Sequence, residues 1–143
     1  MTDLFNTIDH VAIAYPDLDE AVAYYTERLG WYELHRETNE EQGVHEAMLS
    51  PVKDWNPIQT RVQLIAPARE DSTVAKWLEK NRPGMHHIAF RVEDIDAAMV
   101  ELAARGFAFT NEKPRRGTAD SRINFLIPKT ANGVLTEIVE PAK

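Results

Sequence analysis

Residues 85–106 read MHHIAFRVEDIDAAMVELAARG, and residues 8–30 read IDHVAIAYPDLDEAVAYYTERLG. Laid over one another, the two stretches put His10 on His87, Ala12 on Ala89, Asp17 on Asp94, Asp19 on Asp96, Ala21 on Ala98 and Arg28 on Arg105. The copies also share a physical grammar. An alternating or apolar strand comes first, then an Asp placed to cap a helix. The helix follows, with an Arg in its last turn and Gly30 or Gly106 closing it. Leu18, Val22, Tyr25 and Leu29 form one apolar stripe in the first helix, and Ile95, Ala98, Met99 and Leu102 form one in the second, so each helix should lay one face on a sheet.

Outward from each helix lie further strand candidates. The first half offers WYELHRE (31–37), VHEAMLS (44–50) and TRVQLIAP (60–67); the second offers FAFTNE (107–112), RINFLIP (122–128) and GVLTEIVE (133–140), with Gly, Pro, Asn and Asp between them. Each half therefore reads β-α-β-β-β. Between them TVAKWLEKN (73–81) reads as a short helix with Ser72 as its cap, followed by a Pro83-Gly84 turn. The expected organisation is one α+β domain over residues 1–143, with module one at about 7–67, a linker helix at about 72–82 and module two at about 84–141.

The repeat separates the adjacent histidines His86 and His87. Neighbours on a strand point to opposite faces, and only His87 has a counterpart, His10. His87 shares its face with Ala89 and Arg91; His86 falls with Ile88, Phe90 and Val92 and reads as a packing residue. Aligning VQLIAP (62–67) with TEIVEP (136–141) sets Gln63 opposite Glu137. His10, Gln63, His87 and Glu137 thus occupy two equivalent pairs of strand positions in apolar surroundings. Two imidazoles, an amide oxygen and a carboxylate suit a divalent first-row metal in an octahedral site, with two positions left for water or substrate. A closed zinc site would use Cys and His.

Composition narrows the alternatives. The chain has 143 residues, 43% of them hydrophobic and 27% charged, enough for one compact domain with a core. A net charge of -7 argues against a nucleic-acid surface. With no cysteine, disulfides, thiolate metal sites and cysteine nucleophiles are all excluded. The opening MTDLFNTIDH has neither a basic n-region nor an apolar core of signal-peptide length, and no stretch has the length of a membrane span, so the expectation is a cytoplasmic protein.

These motifs resemble the vicinal oxygen chelate superfamily, whose members include glyoxalases, extradiol dioxygenases and antibiotic-binding proteins. The resemblance is nearest to its methylmalonyl-CoA epimerase family. It is carried by IDHVAIAYPDLDEAVAYY, EEQGVHEAML, GMHHIAFRVEDIDAAM and RINFLIPKTANGVLTEIVE, and runs from Ile8 to Glu140. PVKDWNPIQ (51–59) reads as a variant loop. The implied fold is a pair of tandem βαβββ modules forming a curved mixed sheet around a metal-centred cleft.

The implied chemistry is a 1,1-proton transfer at C2 of an acyl-CoA, through an enolate stabilised by a divalent metal on His10, Gln63, His87 and Glu137. The resemblance favours Co2+; Mn2+, Ni2+ and Mg2+ also suit the donors. It also implies a catalytic base at Glu46, either Glu137 or an ordered water chain on the opposite face, with Glu137 preferred, and a homodimer. Glu46 alternates with apolar Val44 and Met48, and a desolvated carboxylate is a better proton acceptor near neutral pH. Lys113, Arg115, Arg116, Arg122 and Lys129, with Asp120 among them, could steer a polyanionic substrate. Other readings share the fold: a glyoxalase-like isomerase of a glutathione hemithioacetal, an Fe(II) extradiol-type dioxygenase, or a non-catalytic small-molecule-binding protein.

Overall fold

The structure is a computed structural model that describes residues 3–55 and 58–143. Of the variant loop 51–59, Asn56 and Pro57 lie outside the described residues. The chain forms two compact units. One runs from Val11 to His86, and the other joins the residues up to His10 with those from His87 onward. Strands β1 (Phe5–Ala14) and β5 (Gly84–Val92) each pass from one unit into the other.

In the Val11–His86 unit the hydrogen-bonded order is β2 (Tyr32–Asn39), β3 (Val44–Ser50), β4 (Arg61–Pro67) and the second half of β1, with β2–β3 and β3–β4 antiparallel. Gly43, at a φ of 68°, closes the β2–β3 turn; the backbone requires glycine there, and a Cβ, 2.7 Å from the Arg69 guanidinium carbon, would also make that flexible side chain move. Helix α1 (Leu18–Ala23) begins where the Asp17 carboxylate accepts the Glu20 N–H at 3.2 Å, as the capping pattern predicts.

The same helix does not continue regularly. Tyr24–Arg28 forms a π-helical turn that ends at Gly30, whose φ is 74°. A π-turn holds more residues than an α-turn. Leu18, Val22 and Tyr25 therefore stay buried against Ala47, Leu49, Leu64 and Ala66, while Leu29 rotates out to 47% exposure and leaves the expected stripe. The opposite sheet face carries Val44, Glu46 and Met48 of β3 beside Gln63 and Ile65 of β4. Helix α2 (Thr73–Lys80), capped by Ser72, packs Val74 onto Val44, Ile65 and Ala14.

In the other unit the order is the first half of β1, then β5, β8 (Thr136–Glu140), β7 (Arg122–Leu126) and the short β6 (Arg115–Arg116). β5 and β8 run parallel, and β8–β7 and β7–β6 antiparallel, so the sheet is mixed. Helix α3 (Ile95–Ala104) is capped twice: Asp94 accepts the Ala97 N–H, and the Glu140 carboxylate accepts the Ile95 N–H, both at 3.1 Å. Its Ile95, Ala98 and Leu102 pack on Val92, Leu126 and Ile138.

The expected strand at 107–112 is not one. Phe109 makes a single bridge to Leu126, and the pairing stops at Asn111 because the buried Asn124 side chain takes over, accepting the Asn111 N–H and donating to the Asn111 carbonyl. A side chain that satisfies both backbone groups removes the reason for a ladder. Among the described residues no helix is long and apolar enough to cross a membrane.

Candidate metal centre

Three of the expected donors come together in the unit formed by the chain's two ends. His10 lies on β1, His87 on β5 and Glu137 on β8, where Glu137 is the register partner of Ala89. Their exposures are 3%, 7% and 4%. His10 Nε2 stands 3.4 Å from His87 Nε2 and 3.2 Å from Glu137 Oε1, and His87 Nε2 is 3.9 Å from Glu137 Oε2. One donor atom from each residue falls within 4.8 Å of the others. Phe125, the register partner of Glu137 on β7, sets its ring edge-to-face with His87 at 5.2 Å and gives the group an apolar wall.

This arrangement fits a divalent ion. Donors at about 2.1 Å from a common centre stand about 3 Å apart in neighbouring octahedral positions, and farther only when opposed. Burying two imidazoles and a carboxylate is costly unless they are paired or share an ion, and here His10 is paired with both Glu137 and Asp9.

The electrostatics follow from the same contacts. Burial works to lower the His10 pKa, but hydrogen bonds and charge from Asp9 and Glu137 outweigh it and push the imidazole up from 6.5 to about 9. Burial raises the Glu137 carboxyl, partly offset by its bond to His10. The Asp9 partner had no signal in the sequence: it adjoins His10, and the two-residue period of a strand argues that neighbours face apart. Yet Asp9 Oδ2 accepts from His10 Nδ1 at 2.7 Å, and its other oxygen takes Arg91 Nη2 at 2.6 Å and Nε at 3.0 Å.

Gln63 and Glu46 belong to the Val11–His86 unit. They share one sheet face, both buried, with Gln63 the register partner of Met48 and Glu46 that of Ile65. On the other side Glu46 pairs in register with Glu37, which hydrogen-bonds His35 at 2.6 Å. His86 turns away from the role of His87 and packs edge-to-face on Trp77 of α2.

The basic segment is largely committed within its own unit. Arg116 holds Asp120, Arg122 holds Asp96 and Glu140, and Arg115 donates to Asn111.

The chain is similar to known proteins. The sequence profile of the glyoxalase/bleomycin resistance protein/dioxygenase superfamily matches residues 9–125. A solved methylmalonyl-CoA epimerase superposes with a TM-score of 0.95 at 50% identity, covering 100% of both chains. Another, solved in complex with methylmalonyl-CoA and NH4+, gives a TM-score of 0.90 at 46% identity, covering 98% of this chain and 96% of its own. The mitochondrial methylmalonyl-CoA epimerase of Homo sapiens is 35% identical over 92% of this chain and 72% of its own length. Matched over nearly its whole length, the chain belongs to the methylmalonyl-CoA epimerase family of the glyoxalase/bleomycin resistance/dioxygenase superfamily.

Proposed function

We propose that this chain interconverts the (2R) and (2S) forms of methylmalonyl-CoA by moving the proton at C2, with His10, Gln63, His87 and Glu137 holding a divalent ion. The observation that carries the reading is the buried convergence of His10, His87 and Glu137 in a chain that is 50% identical, end to end, to a solved epimerase. When bound, the ion supplies positive charge for the thioester oxygen of the enolate, the place where negative charge develops as the proton leaves.

The protein's own groups do the rest. Glu46 takes the C2 proton from one face of the substrate. Glu137 serves the opposite face, and returning a proton there inverts the centre. Gln63 is the neutral member of the set, so Glu137 alone subtracts charge and the site keeps a positive field toward an anionic substrate. Apolar neighbours such as Met48 and Ile65 beside Glu46 keep water from competing for the transferred proton. Co2+ is the ion assigned here, on the family resemblance; Mn2+, Ni2+ and Mg2+ suit the same donor types. A cytoplasmic homodimer completes the proposal.

Loss of the C2 proton signal of methylmalonyl-CoA in D2O, followed by NMR, tests it. Metal-stripped protein should leave the signal intact and Co2+ should restore exchange. Glu46→Gln should slow interconversion of the two epimers by roughly 10²–10⁴-fold, the usual worth of a positioned base, since exchange at the Glu137 face alone cannot invert the centre. Absence of exchange with Co2+ restored would overturn the reading, and turnover of a glutathione hemithioacetal would then move the chain to glyoxalase-like chemistry.

A further inference from the structure

Asp9 and Arg91 are buried to 4% and 6% exposure, and together they make three hydrogen bonds to one another and to a member of the donor group. A buried ion pair is weak evidence for stability, because removing two charges from water consumes much of what their attraction returns. Its geometry here points elsewhere. The carboxylate divides its oxygens: Oδ1 takes both Arg91 donors, Nε and Nη2, and Oδ2 takes His10 Nδ1. The guanidinium fork fixes the plane of the carboxylate, and the carboxylate in turn fixes which imidazole nitrogen carries a proton. With Nδ1–H donated to Asp9, the lone pair of neutral His10 lies on Nε2, the atom that faces His87 and Glu137.

We propose that Asp9 and Arg91 are a positioning pair for the metal, an inference that rests on the metal-dependent reading above. Asp9 holds His10 in the tautomer and orientation that present Nε2, and raises the basicity of that nitrogen. Arg91 locks Asp9 and cancels its charge, so that the carboxylate strengthens a ligand without adding net negative charge beside Glu137. The arrangement is built on His10. At the equivalent place in the second repeat, the residue before His87 is His86, which packs on Trp77.

Co2+ titration of the full chain tests this, with thermal unfolding in chelator as the control for folding and proton NMR of the Co2+-loaded protein as the local readout. In wild-type protein the His10 Nδ1–H should appear as a paramagnetically shifted signal protected from exchange with water. The double variant Asp9→Asn, Arg91→Gln replaces the ions by neutral groups of similar size. It should weaken the Co2+ dissociation constant by roughly 10- to 100-fold and lose that protection. Arg91→Lys keeps the charge and loses the fork, so it gives the same test without an uncompensated ion; several-fold weaker binding and faster exchange of the same proton are expected.

Folded variants with wild-type Co2+ affinity and a protected signal would overturn the proposal, since a merely structural pair shifts the unfolding temperature and leaves both readouts alone. Wild-type protein that takes up no Co2+ would instead remove the metal-dependent reading itself, and this inference with it.

Discussion

His86 and His87 are adjacent in sequence and opposite in chemistry. His87 joins His10 and Glu137, whereas desolvation against Trp77 pushes the His86 pKa down from 6.5 to about 4. The unfolded chain therefore binds a proton between those values that folded His86 refuses. Its contribution to stability is present above pH 6.5 and is lost as the pH falls through about 4. Discounted for part exposure, the loss should be about 2 kcal/mol. Urea unfolding at pH 7 and pH 4.5 checks this, because His86→Phe keeps a ring for Trp77 and should remove that part of the acid slope. At this scale the repeat made His10, His87 and Glu137 legible, since chance seldom sets ligand-type residues on equivalent strand positions. Arg91 was legible only as a neighbour of His87 on its face, and Asp9 not at all: period-two alternation assigns Asp9 to the wrong face, and only three-dimensional contacts reveal that its carboxylate reaches both Arg91 and the ring beside it.

Among the elements, the clearest sequence signals were caps. Asp17, Ser72 and Asp94 each accept the N–H three residues on. Asp94→Ala should lower stability by about 1 kcal/mol, read as a shift of the urea midpoint at constant slope; no change would mean that Glu140, on the Ile95 N–H, suffices to hold the start of α3. Two elements escaped the sequence for opposite reasons. FAFTNE has strand composition, but Asn124, from a distant strand, claims the backbone groups a ladder would need. The π-turn at Tyr24–Arg28 changes the helical period for one turn, and a fixed 3.6-residue template therefore misassigned Leu29 while placing Leu18, Val22 and Tyr25 correctly.

Across the whole molecule the charge of the donor group would make metal uptake a proton exchange. His10, raised to about 9, holds a proton at neutral pH in metal-stripped protein. Its folded-state pKa lies above the unfolded value, so the contribution of that proton is complete below pH 6.5 and is lost as the pH rises through about 9. Metal-stripped protein should melt at lower temperature at pH 9.5 than at pH 7, and apparent Co2+ affinity should rise over the same interval as the competing proton leaves. A melting temperature flat across this range would show that His10 is neutral throughout. Loading with Co2+ at a hundred times its dissociation constant should add about 2.7 kcal/mol to stability. The two compact units divide within β1 and β5, so each unit draws strand residues from both repeats.

That division has a consequence for synthesis. The unit that carries His10, His87 and Glu137 is built from the first segment of the chain and the last, and His10 and His87 are 77 positions apart. On the ribosome, the opening strand emerges long before the residues it will pair with, and must wait while the intervening unit is made. The ring it finally closes is long, and long closures are where a clip between the ends gains most and where folding is slowest. An ion bridging His10, His87 and Glu137 would be such a clip. Refolding in the presence of chelator should then leave amide protons of residues 5–10 exchanging after those of β3 and β4 are already protected, a lag that Co2+ shortens.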